Sequence, residues 1–153
     1  MKLQTQQVGK PQCLLYSFAM AMDIDAVELA KKVGHDGLEK VWPDLQPPKC
    51  YIGHNPIELM LVALDLGYAV TMLPAIVESA PTPESEPYAC ICDMHTHFIK
   101  CIVNGRGVIC TDTHACAYDR YAIFDSNGKV YGATRELIQK ITYLFAVNEI
   151  KSD

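Results

Sequence analysis

"HACAYDRYAIFDSNGKVYG", residues 114–132, alternates short apolar runs with turn residues. It divides into "HACAY" (114–118), "YAIFD" (121–125) and "KVYG" (129–132), three strand-length segments of the kind that pair as hairpins. Ser126-Asn127-Gly128 is a good turn between the second and third. With Asp119-Arg120 as the turn between the first two, facing residues have numbers that sum to 239. That register sets His114 opposite Asp125, Ala115 opposite Phe124 and Ala117 opposite Ala122. Directly opposed residues on one sheet face have Cβ atoms about 5 Å apart. A carboxylate at that distance can accept the imidazole N–H, fix its tautomer and stabilise the imidazolium.

Around this meander the chain reads in two halves. "GVIC" (107–110) precedes it as a further strand, and Tyr68 to Leu73 and Ile141 to Val147 complete the set. Thr134 to Lys140 suits a short helix, "PTPESEP" (81–87) a surface loop, and His95 to Asn104 fits either helix or strand. Upstream the pattern is helical. Leu14 to Met22 lacks Gly and Pro and suits a buried helix. Ala26 to Val33 lies between a cap, Asp25 with Glu28 three later, and the natural stop Gly34. His35 to Gly53, with Trp42, Pro43, Pro47 and Pro48, is an irregular loop. Asn55-Pro56-Ile57-Glu58 is the strongest helix start: cap, first-turn proline, then an acid. Ile57, Met60, Leu61 and Leu64 then recur on one face and carry the helix to Gly67. Helices first and an antiparallel sheet afterwards is an α+β plan, and 153 residues suit one domain, 1–153.

Composition excludes several partners. Half of the residues are hydrophobic and a fifth charged, as in ordinary globular domains. Net charge is −5, with no basic cluster beyond Lys31-Lys32, so the stripe that phosphate contacts need is missing and no nucleic-acid partner is expected. No segment approaches the ~20 apolar residues of a membrane span. Seven cysteines is an odd number, which fits free thiols in a reducing cytoplasm better than a disulfide framework. The apolar run Cys13 to Met22 after Lys2 and Lys10 imitates a signal peptide, but Gln4, Gln6, Gln7, Gln12 and Pro11 before it argue against export. The sequence implies no cofactor.

Cys13 stands where the polar segment "QVGKPQ" (7–12) gives way to the first apolar helix. A helix N-terminus stabilises negative charge, so a thiol there is partly prepared to become a thiolate. It becomes a nucleophile only with a base beside it. Of His35, His54, His95, His97 and His114, only His114 is paired with an acid by the strand register.

These residues carry a resemblance. Gln7, six positions before Cys13, and the pattern Cys13-x-x-Tyr16-Ser17 resemble the nucleophile segment of the papain-like cysteine peptidases. "HACAY" resembles that family's His-Ala strand. The Gly34-His35-Asp36-Gly37 segment, "VWPD" (41–44) and the Asp125-x-Asn127-Gly128 turn are similar to those of small papain-like proteins of bacteria and their phages. The resemblance implies a papain-like α+β fold, the nucleophile on the first helix packed against a C-terminal antiparallel β-sheet. It implies a cysteine hydrolase acting on a peptide or isopeptide bond in a peptide or protein substrate, with a Cys13-His114-Asp125 triad. Gln7 and the Cys13 N–H would hold the oxyanion. The family's Asn-Ser-Trp motif is absent, so Asp125 must orient the imidazole. Cys116, on the same strand face as His114, can compete for the ring or for a metal.

Three other readings use different residues. The double-glycine leader peptidases have a His-Phe strand ahead of their acid, which would assign His97 and Asp112. "CICDMHTH" with a turn at Asp93-Met94 would face Cys92 with His95 and Cys90 with His97, a tetrahedral zinc set. A papain-like fold can also act as a non-catalytic binding module.

Overall fold

The computed structural model describes residues 1–39, 52–74 and 94–151. Expectations for Trp42, "VWPD", "PTPESEP", Cys90 and Cys92 fall outside them. The described elements are α1 (Cys13–Ala21), α2 (Ala26–Val33), α3 (Pro56–Asp65), β1 (Tyr68–Pro74), α4 (Met94–Asn104), β2 (Arg106–Cys110), β3 (Ala115–Asp119), β4 (Ala122–Asp125), β5 (Lys129–Gly132), α5 (Arg135–Gln139) and β6 (Tyr143–Glu149). The strands form one six-stranded antiparallel sheet in the order β1-β6-β2-β3-β4-β5. The architecture is α+β, as the sequence predicts.

Local chemistry explains the helix ends. The Asp25 carboxylate accepts the N–H groups of Val27 and Glu28 at 2.8 and 3.2 Å, and Gly34 closes α2 at φ 91°. Asn55 and Glu58 form the reciprocal capping box of α3 behind Pro56. The buried face of α3 departs from expectation. Glu58, Leu59 and Ala63 are buried, while Ile57, Leu61 and Leu64 are exposed. The helix is apolar nearly all round, so its period alone did not fix which stripe turns inward.

Both sheet faces are covered, and period two sorts the side chains between them. Val108, Ala115, Phe145 and Val147 join Leu15, Phe18, Leu29 and Leu59 in one core under α1, α2 and α3. Their strand neighbours Ile109, Cys116 and Leu144 join Phe98, Ile102 and Ile138 in a second core under α4 and α5. Residues His95 to Asn104, open between helix and strand in the sequence, are the helix that closes this second face. His95 and His97 thus lie on a helix and not on the hairpin strand that the zinc reading of "CICDMHTH" expected, while Cys90 and Cys92 lie outside the described residues.

The β3–β4 register is shifted by two residues from the expected one. Ala117 faces Phe124, Tyr118 faces Ile123 and Asp119 faces Ala122. The turn is Arg120-Tyr121, with φ 46° and 77°, the left-handed pair that a tight hairpin needs. Non-glycine residues enter that region at a cost of about 1 kcal/mol each. The Arg120 and Tyr121 N–H groups donate to Gly105 O and Ile102 O, both at 2.9 Å, which fastens the turn to the end of α4.

Candidate active site

Cys13 is the first residue of α1, and the start of that helix is left uncapped. Gln12 occupies the cap position without a side-chain bond to the first turn, and the first turn carries no acid. Its amide instead points away, donating from Nε2 to Asp36 O at 2.9 Å. The first N–H groups of α1 thus remain available to negative charge at Cys13.

His114 lies just before β3, on the face shared with Cys116. Its Nε2 is 3.0 Å from Asp125 Oδ1, so the expected pair is present although its register is not. A two-residue slip keeps every side chain on its face and turns a direct pair into a diagonal one. Asp125 Oδ1 also accepts the Asn127 N–H at 2.8 Å, which holds the carboxylate in place.

Cys13 and His114 perturb each other. Burial pushes the Cys13 thiol up. Hydrogen bonds from His114 and from the Ala115 and Leu14 N–H groups, with the imidazolium charge, outweigh it and hold the thiol below its ordinary range. His114 is pushed up to about 11 by hydrogen bonds with Cys116 and Cys13, against burial and with help from Asp125. Cys110 moves the other way: burial, then the neighbouring Cys13 and Cys116, push it up to about 12. Of these two partly buried thiols, only Cys13 is prepared as a thiolate.

Gln7 is exposed, and its side-chain amide makes no hydrogen bond among the described residues. Its neighbour Gln6 is fixed to the turn after Asp125, through Gln6 N–H to Ser126 O at 2.9 Å. His97 is exposed on α4 and Asp112 is exposed before β3. His97 is helical and not on a strand, which removes the premise of the His97/Asp112 pair. Asp112 instead lines an open depression of about 1400 Å³ with Thr111, Thr113, Cys110 and Ile57. That depression borders the loop leading to His114 but is lined by none of Cys13, His114 or Asp125.

Sequence reasoning missed the scaffold behind Cys13. In the Gly34–Gly37 segment, the Gly37 N–H donates to His35 Nδ1 at 3.1 Å, so His35 Nε2 carries the proton it gives to Glu58 Oε2 at 3.2 Å. Glu58 is 1 % exposed and also accepts the Asn55 N–H at 2.7 Å. His54 stacks on His35 with ring centroids 4.6 Å apart, over Gly37, where a Cβ would lie 2.5 Å from the ring. This assembly fixes Asp36 O, which holds Gln12 beside Cys13. Glu58→Ala orphans two donors and should cost about 2–4 kcal/mol. Glu58→Gln keeps an acceptor for the Asn55 N–H and should lose less; urea melts of both variants check the order.

No protein-family model matches the chain, and neither does any curated protein sequence. Among the described residues, no helix is long and apolar enough to cross a membrane.

Proposed function

We propose that this chain is a papain-like cysteine hydrolase that cleaves a peptide or isopeptide amide bond. The observation that carries the reading is one convergence. A thiol at the uncapped head of a buried helix is held below its ordinary range by a neighbouring imidazole, which is itself bonded to a held carboxylate 3.0 Å away. In this reading the Cys13 thiolate adds to the amide carbonyl, and the oxyanion takes the Cys13 N–H and the free amide of Gln7. His114 gives its proton to the departing amine, then accepts one from the water that hydrolyses the thioester. Asp125 keeps the ring in one tautomer and balances the imidazolium.

The test is thiol reactivity mapped by mass spectrometry. Iodoacetamide near neutral pH should modify Cys13 far ahead of the other six cysteines, with partly exposed Cys101 as the internal standard. Equal labelling of Cys13 and Cys101 would overturn the reading and favour a binding module built on the same fold.

A further inference from the structure

Amide hydrolysis by a cysteine needs one thiol at the imidazole, and His114 has two. Cys116 sits two residues along from it on β3, 4 % exposed, and carrying the β3–β4 register one pair further sets Cys116 across from Asp125. One ligand atom each from His114, Cys116 and Asp125 lies within 4.8 Å of the other two. We propose that these three residues form a binding site for a zinc-class divalent cation.

The geometry is close to what such an ion requires. Bonds of about 2.0–2.3 Å in a tetrahedron place ligand atoms about 3.3–3.8 Å apart. His114 Nε2 and Asp125 Oδ1 are already 3.0 Å apart, so a side-chain adjustment of about 1 Å completes the set. A thiolate, an imidazole and one carboxylate suit zinc and its neighbours, whereas magnesium and calcium want oxygen alone. Support for the ligands is present as well. The Asn127 N–H orients the carboxylate, and the Tyr131 hydroxyl, 3.7 Å from Cys116 Sγ, can donate to a thiolate. Cys116 and Asp125 are buried while His114 is partly open, which gives the ion a way in. Three protein ligands leave the fourth position to water.

Binding releases the Cys116 thiol proton and any proton on the His114 nitrogen that takes the metal, both to solvent, with no change of oxidation state. With its Nε2 lone pair on the metal, a neutral His114 carries its one proton on Nδ1 and cannot accept another, so it no longer serves Cys13 as a base. Zinc therefore switches the site off, a consequence that rests on the hydrolase reading; the metal binding itself does not.

The experiment is a Co²⁺ titration of the metal-free full chain, reduced with a phosphine. The expected result is one equivalent of tetrahedral cobalt with a thiolate-to-metal charge-transfer band, discharged by one equivalent of Zn²⁺. Cys116→Ser, Cys116→Ala and Asp125→Asn should each weaken binding by at least about tenfold. Cys13→Ser should retain the band, so loss of the hydrolase reading would leave this result standing. A wild-type protein without the band overturns the proposal. So does a band untouched by the Cys116 variants, or one abolished by the double substitution Cys90→Ser and Cys92→Ser.

Discussion

In the His114→Ala protein, alkylation of Cys13 near neutral pH is expected to slow by at least about tenfold, with its pH profile displaced upward. The sign follows from two opposite shifts. Cys13 is held below the ordinary thiol range and His114 is pushed up to about 11, so between them lies a window in which thiolate and imidazolium coexist. In the wild-type protein the rate should rise as pH climbs through the lowered thiol value, then change again near the alkaline end as the imidazolium is lost. Removing His114 leaves burial as the dominant influence on Cys13, and burial disfavours the anion. The variant should show one inflection, at higher pH than the first wild-type one. Intrinsic nucleophilicity offsets part of this. A thiolate of lower basicity is a weaker nucleophile, so each unit of depression is worth about three- to fourfold in rate and not tenfold. Asp125→Asn should fall between the two proteins, because it retains a side chain near the ring but not the charge. Coincident profiles for wild type and His114→Ala would mean that the imidazole does not govern Cys13, and the proposed chemistry would fail with it.

What the sequence reveals and conceals here follows the range of the interactions. The ends of α2 and α3 are readable because Asp25, Gly34, Asn55 and Glu58 act on backbone groups within one turn. The β3–β4 register is not, because the Arg120-Tyr121 turn is held by carbonyls of Ile102 and Gly105, remote from the hairpin in pattern if not in space. The His114–Asp125 contact nonetheless survives, since an error of two residues preserves the face on which both lie. Helix α4 was ambiguous for a different reason. Phe98 and Ile102 have helical spacing, but the alternation of His95 and His97 imitates a strand. The positioning role of Gln12 is illegible in the sequence, because its partner is a backbone carbonyl and leaves no mark in the side-chain pattern.

Gly107→Ala is expected to lose at least about 4 kcal/mol of stability, or to prevent folding. A Cβ at this position would stand 1.8 Å from Phe145 O and 2.9 Å from Tyr118 Oη. The first of these atoms is backbone, in the β6 strand that pairs with β2, so no rotamer relieves the overlap. Relief requires β2 to part from β6, and the ladder between them lies near the middle of the sheet. Gly132 on β5 is the control. Its added Cβ would meet only the Tyr121 ring at 3.5 Å, an ordinary contact. Gly132→Ala should then change stability by less than about 1 kcal/mol, upward if anything, because alanine loses less entropy than glycine in a strand. Thermal and urea melts of the two variants separate a general sensitivity of the sheet to bulk from a specific close approach. Nearly equal losses would dispose of the close-approach argument. The consequence reaches the candidate site, since β2 pairs with the strand that follows His114, and Thr111 next to it accounts for the His114 carbonyl at 2.9 Å. A protein that survives Gly107→Ala in a loosened form should therefore also lose the preferential labelling of Cys13, although the substitution touches neither the thiol nor the imidazole.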